Sequence, residues 1–247
     1  MYVKYFFIFI LMPFCIVSQE SAIVEPLYLV NIPTAGTLYK GTFRVPIHAY
    51  DDGGLLFGLE AGVTDRLMFG ISYGGTNIIG IGDPDWNPQV GVDVRYRFYE
   101  ESLTMPAILI GYTSQGYGAY IDSTSRYLEK SLGAFAVASK NFNVLGNLGI
   151  HVGVNYSLEN DDGDSNPNLF IGFDKSINPE LLLTAEYDFA INDNEDRSLG
   201  SGKGYLNTGI KWIFESRLEI ELLLKNLLDN REDLPHWARE LRIAFIF

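Results

Sequence analysis

Twelve charged residues pose the first chemical question. Arg44, Glu60, Asp93, Arg95, Arg97, Glu186, Asp188, Lys211, Glu219, Glu221, Lys225 and Arg242 fall at alternate positions of otherwise apolar runs. Their side chains share a face with small and polar residues, while Val, Ile, Leu and Phe take the other face. Both signs are present. Charges placed this way either pair into a network that satisfies buried ions, or line a wet passage and select what crosses it.

Other chemistry is sparse. The histidines are His48, His151 and His236, and none sits in a local Ser-His-Asp pattern. There is no Cys/His zinc spacing and no phosphate-cradling glycine loop. Two acidic stretches, Asp161, Asp162 and Asp164, then Asp193, Glu195 and Asp196, offer the hard oxygen ligands that calcium or magnesium take. Asn160-Asp161-Asp162-Gly163-Asp164 lacks the closing Glu of a calcium loop, so these acids are expected as solvated loop tips. No cofactor or metal is expected. The net charge of -13 argues against a nucleic-acid partner, which needs a basic surface.

The elements that position these charges read as strands. The last ten residues, 238–247, place Leu241, Ile243, Phe245 and Phe247 on one face and Arg242, Ala244 and Ile246 on the other. Further alternating runs cover 37–50, 55–63, 67–76, 89–99, 105–113, 130–140, 146–158, 168–174, 181–191, 204–214 and 218–228. Helical periodicity is nearly absent, and no stretch holds 18 consecutive apolar residues. Strands five and six have no separable faces. The strand count is even, at about twelve. Connections alternate between short turns and long loops, apart from the short turn at 51–54. The longest loop is 114–129.

Ahead of the strands, Lys4 and the apolar run 5–17 look like an export signal, with Ser18 as the cleavage residue. The single cysteine, Cys15, lies inside it, so the mature chain holds no disulfide. The expected organisation is a cleaved signal peptide at 1–18, a periplasmic leader at 19–36 and a barrel at 37–247.

A terminal Phe preceded by apolar residues at every second position resembles the C-terminal targeting signal of bacterial outer-membrane barrels. That resemblance gives Phe245 and Phe247 the role of assembly signal and makes the barrel-assembly machinery a partner. An open strand edge cannot persist in lipid, so the last strand must pair with the first. The expected fold is therefore all-β, a transmembrane antiparallel up-and-down β-barrel in the bacterial outer membrane. Its aromatic residues support that topology. Tyr96, Phe98, Trp212, Phe214, Phe245 and Phe247 would form the periplasmic girdle, and Tyr73 and Tyr156 would lie at the outer interface. Alternation alone does not say which face is inside, and a soluble sandwich would point the apolar face inward.

The segments 32–35, 41–43, 58–62 and 64–67 resemble the opening of YjbH-like outer-membrane proteins, a family linked to exopolysaccharide. Outer-membrane phospholipase A is also a twelve-stranded barrel, and its catalytic His is followed two positions later by Ser. Here Val152 and Gly153 follow His151, so the matching nucleophile is missing and no enzyme is expected. The expectation is a porin-like small channel that meets outer-membrane lipid and either a small solute or a surface polysaccharide. The alternatives are a non-enzymatic barrel assisting exopolysaccharide export or envelope integrity and, more remotely, a lipase.

Overall fold

The computed structural model describes residues 25–195, 197–231 and 238–247. Among them, twelve antiparallel strands form one closed sheet: β1 (Phe43–Tyr50), β2 (Gly54–Gly62), β3 (Leu67–Thr76), β4 (Gly91–Tyr99), β5 (Ala107–Thr113), β6 (Gly133–Asn143), β7 (Asn147–Tyr156), β8 (Asn168–Ser176), β9 (Leu181–Asp188), β10 (Tyr205–Phe214), β11 (Leu218–Lys225) and β12 (Ala238–Ile246). Each strand pairs with its neighbours in sequence, and β12 returns to β1 with Val45 opposite Phe245 and Ile47 opposite Ile243. Closure leaves no unpaired edge for lipid to meet.

The two faces are resolved by burial. Phe69, Ile150, Val152 and Ile210 are exposed on the outside, and Val92, Val94 and Ile220 are half-exposed there. Asp93, Arg95, Glu186 and Glu219 are buried inside. An aqueous protein would not turn this apolar belt outward and its ions inward, so the chain is a membrane-spanning barrel. Outward aromatics pack along single strands, with Tyr96 and Phe98 centred 6.4 Å apart and Trp212 and Phe214 5.8 Å apart. Tyr73 stacks on Trp86 at 5.7 Å near the other rim. Trp86 belongs to the two-residue strand Asp85–Trp86, which extends β3 above the barrel.

Three sequence expectations need correction. First, residues 25–36 are not a periplasmic leader. They enter the lumen and fold into a tight hairpin, with Leu29 N–H donating to the Ile32 carbonyl at 3.1 Å and Thr34 N–H to Leu27 at 3.1 Å. Gly36 is needed there because a Cβ would meet the Pro26 carbonyl at 2.6 Å. The expected signal peptide at 1–18 lies outside the described residues. Second, the first strand starts at Phe43 rather than 37, since the chain must turn out of the lumen first, passing Gly41 at φ 81°. Third, β6 starts at Gly133. The preceding residues form a hairpin, Tyr117–Ile121 with Arg126–Glu129, that folds into the outer mouth.

The hairpin-shaped leader explains why strands five and six were unreadable. Ala107, Leu109, Phe135, Val137 and Phe170 face inward and pack against Leu29, Ile32 and Ala35. A strand with lipid on one side and an apolar leader on the other has no polar face to mark the interior.

Phe247 closes the seam from the periplasmic end. Its amide donates to the Phe43 carbonyl at 2.9 Å and its carbonyl accepts from Phe43 N–H at 3.0 Å. Each such bond contributes about 0.5–1.5 kcal/mol net, which is small against barrel closure. Deleting Phe247 is therefore expected to leave refolding in detergent nearly intact. Insertion in cells should fall strongly, because the assembly signal proposed for Phe245 and Phe247 is truncated. The measurement is the heat-modifiable fraction in outer membranes beside the refolded yield. Normal insertion of the deletion variant would remove the targeting role.

Candidate functional site

The eleven charges expected in the lumen besides Lys225 all lie on inward positions, and they separate into groups. The largest spans the closing seam. Arg44 on β1 donates to Glu60 at 2.9 Å and to Glu219 at 2.9 Å. Glu219 belongs to β11, two strands away, and the intervening strand presents Ala244, fully buried and small enough to pass under the guanidinium. Glu221 then binds Lys211 at 3.2 Å and Arg242 at 3.1 Å. This is the ion-pair network that alternate charges on neighbouring strands produce.

A second group lies on β4 and holds the leader. Arg95 is 0% exposed. It pairs with Asp93 at 2.9 Å, donates to the Leu27 carbonyl at 2.8 Å, and lies 4.0 Å above the Tyr28 ring. The Tyr28 hydroxyl donates to Asp93 at 2.5 Å. Arg97 donates to the Ala35 carbonyl at 2.8 Å and pairs with Glu25 and Glu100. From the seam, Arg242 donates to the Val30 carbonyl at 2.9 Å.

Glu186 on β9 holds the leader's tip. Its carboxylate accepts the consecutive amides of Val30, Asn31 and Ile32 at 2.8 to 3.0 Å, and Asn207 Nδ2 at 2.8 Å. These contacts matter energetically. Burying Leu29 or Ile32 contributes about 1.5–3 kcal/mol each, while ordering each leader residue costs about 1–2 kcal/mol. Apolar packing alone does not hold the leader, so the polar anchors decide. Asp188, nearby, accepts from Asn168 Nδ2 and Ala190 N–H, both at 2.7 Å.

Several contributors were not singled out from the sequence. Glu240 bonds Lys225 at 3.0 Å and His48 at 2.7 Å. Its parity with Arg242 on β12 was a signal that could have placed it. Glu129, on the mouth hairpin, reaches Lys225 at 2.6 Å, and no local pattern announces that contact. His151 also has partners the sequence hides. Its Nδ1 faces Ser139 Oγ at 2.8 Å and its Nε2 faces Asp174 at 2.9 Å. Ser139 is its register partner across β6 and β7, and Gly149 leaves the room through which Asp174 reaches it. Ser139 Oγ also accepts the Ala35 amide at 2.8 Å, so this relay ends on the leader.

The acidic outer loops are not solvated tips. Asp162, Asp164 and Asp193 are buried. Arg126 of the mouth hairpin binds Asp162 and Asp193 at 2.6 Å each, and Lys130 binds Asp162 at 2.8 Å. Asp161 and Glu195 remain exposed. Burial raises the Asp162 carboxyl, but Lys130, the Asp164 amide and Arg126 outweigh it and hold the group below the usual carboxylate range. A depressed value stabilises the fold above the ordinary carboxylate range and loses that contribution as pH falls through the depressed value. The hairpin is therefore expected to stay docked at neutral pH and loosen only below about pH 4. Near-ultraviolet circular dichroism of the Tyr120 and Tyr127 pair, centred 5.1 Å apart, reads this. A transition near pH 6 would contradict it.

Between the leader tip below and the mouth hairpin above lies a cavity of about 110 Å³. Tyr28, Asn31, His48, Glu60, Tyr117, Glu129, Asp188 and Tyr205 are among its lining residues. The space has room for several waters. Phe245 faces outward, and Phe247 is 76% exposed at the periplasmic rim, so neither takes part in the lumen.

A closed even-stranded sheet with an apolar outer belt and a charged interior defines an outer-membrane β-barrel. Solved structures of the same fold include the KdgM porin, 8% identical over 83% of this chain and 98% of that one, with a TM-score of 0.50. The KdgM porin in complex with disordered oligogalacturonate is 8% identical over 83% and 99%, at 0.52. The Acinetobacter baumannii outer membrane protein Omp33 also aligns, 9% identical over 85% and 98%, at a TM-score of 0.49 that does not bear on the fold. No protein-family model and no curated protein matches the chain. The resemblance of residues 32–67 to YjbH-like proteins is accordingly not supported. Those segments are ordinary barrel hairpins and the end of the leader.

Proposed function

We propose that the protein is a non-enzymatic small-solute channel of the outer membrane, closed on its periplasmic side by its own leader. The observation that carries this reading is the arrangement of the lumen. A cavity with charged and polar side chains in its lining lies between the leader and the mouth hairpin, and the leader is held by hydrogen bonds and apolar packing rather than by strand pairing with the wall. Such a segment leaves without unmaking the barrel. The barrel-assembly machinery would insert the protein, outer-membrane lipid would surround it, and a small solute would be its cargo.

Single-channel recording in a planar bilayer tests the proposal. Wild type is expected to give small discrete steps. Arg95→Ala removes the bonds to Leu27 and Asp93 and the stacking on Tyr28, so the steps should grow while thermal stability falls. The filled periplasmic half of the lumen favours a second reading, a non-conducting barrel that supports envelope integrity or surface polysaccharide export. Silent bilayers from both folded proteins would establish that reading instead.

A further inference from the structure

Charge around the cavity names the class of solute, an inference that rests on the channel reading. The arginines and lysine that line the cavity are Arg44, Lys130 and Arg242. Each is already neutralised, by Glu60 at 2.9 Å, Asp162 at 2.8 Å and Glu221 at 3.1 Å respectively. Asp188 and Glu186 also line it, and neither makes an ion pair with any cation among the described residues. Asp188 is held by an asparagine amide and a backbone amide. Glu186 is held by the leader's amides and Asn207. Neutral donors orient a carboxylate without cancelling its charge.

We propose that the lumen favours cationic solutes over anionic ones, with Asp188 the selecting group and Glu186 joining it when the leader withdraws. Among the described residues, an anion entering the cavity meets no unpaired positive side chain in its lining, and a cation meets two carboxylates. Low-dielectric walls focus that field along the passage. Loss of the leader strengthens the effect, because it strips three donors from Glu186 and leaves Arg44, Lys130 and Arg242 with their carboxylates.

The test is the reversal potential under a potassium chloride gradient at pH 8, recorded from wild type and from a variant lacking residues 25–38. Permeability for potassium over chloride is expected above one in the conducting protein, by about threefold for a carboxylate near the passage. Asp188→Asn should bring the ratio at least halfway back to one, and Asp161→Asn on the exposed loop should leave it unchanged. Glu186→Gln in the leaderless chain is the second variant and should act in the same direction. Conductance with a ratio at or below one overturns the cation preference and spares the channel reading. So does a ratio that neither Asp188→Asn nor Glu186→Gln moves. Silence from every folded variant overturns both.

Discussion

Deleting residues 25–38 is expected to raise single-channel conductance severalfold, the largest functional change available in this protein. The leader occupies the periplasmic half of the lumen, with Leu29 and Val30 completely buried. Its removal takes away no strand and, among the described residues, no ion pair between wall residues; the leader's own ion pair, Glu25 with Arg97, goes with it, and Arg97 keeps Glu100 at 3.0 Å. The seam network of Arg44, Glu60, Glu219, Glu221, Lys211 and Arg242 lies entirely on the wall. What is lost is the apolar contact with Leu109, Phe135 and Phe170, which then face water, and the leader's hydrogen bonds to Glu186, Arg95, Arg97 and Arg242. The variant should therefore fold, migrate as heat-modifiable protein and conduct more, with a lower thermal midpoint. A folded, heat-modifiable variant with unchanged conductance would mean that the permeation path avoids the space the leader fills.

Arg44→Ala is expected to cause the largest loss of stability. Arg44 is buried and bonds Glu60 and Glu219, with Glu221 at 3.7 Å. Without it, carboxylates on β2 and β11 face each other across the seam where the barrel closes. Breaking a buried pair by removing one partner costs about 3–5 kcal/mol, because the other charge stays uncompensated. Arg44→Lys should recover only part of this, since an ammonium cannot repeat the forked contact to carboxylates on two strands. Adding Glu219→Gln to Arg44→Ala should restore some stability by removing the stranded charge. Urea titration followed by tryptophan fluorescence measures the midpoint. An Arg44→Ala midpoint equal to wild type would show that water already compensates these charges.

The same network shows what a linear reading captures. Twelve strands, their order, the inward charges and the outward belt were legible because a strand between lipid and ions must alternate every second residue. Arg95 and Val94 could be assigned opposite faces from position alone. Glu219 and Arg44 could be brought near each other once closure was required. Asp162 and Asp193 were misjudged for a physical reason. A loop carboxylate looks solvated unless its cation is known, and Arg126 lies 36 residues from Asp162 and 67 from Asp193 in the chain.

The sequence by itself pointed to the barrel, because period-2 alternation over an even number of strands, read with lipid outside, fits a closed antiparallel sheet. Only the tertiary structure decided what fills it. The leader has no periodicity to reveal its place, since its backbone amides and carbonyls make most of the contacts, and every residue type has those groups. Glu186 recognises Val30, Asn31 and Ile32 through their amides, and Arg95, Arg97 and Arg242 recognise carbonyls. The Ser139, His151 and Asp174 relay is hidden for a related reason. It joins β6, β7 and β8 by register, and register is fixed by the pairing of whole strands rather than by the residues that use it.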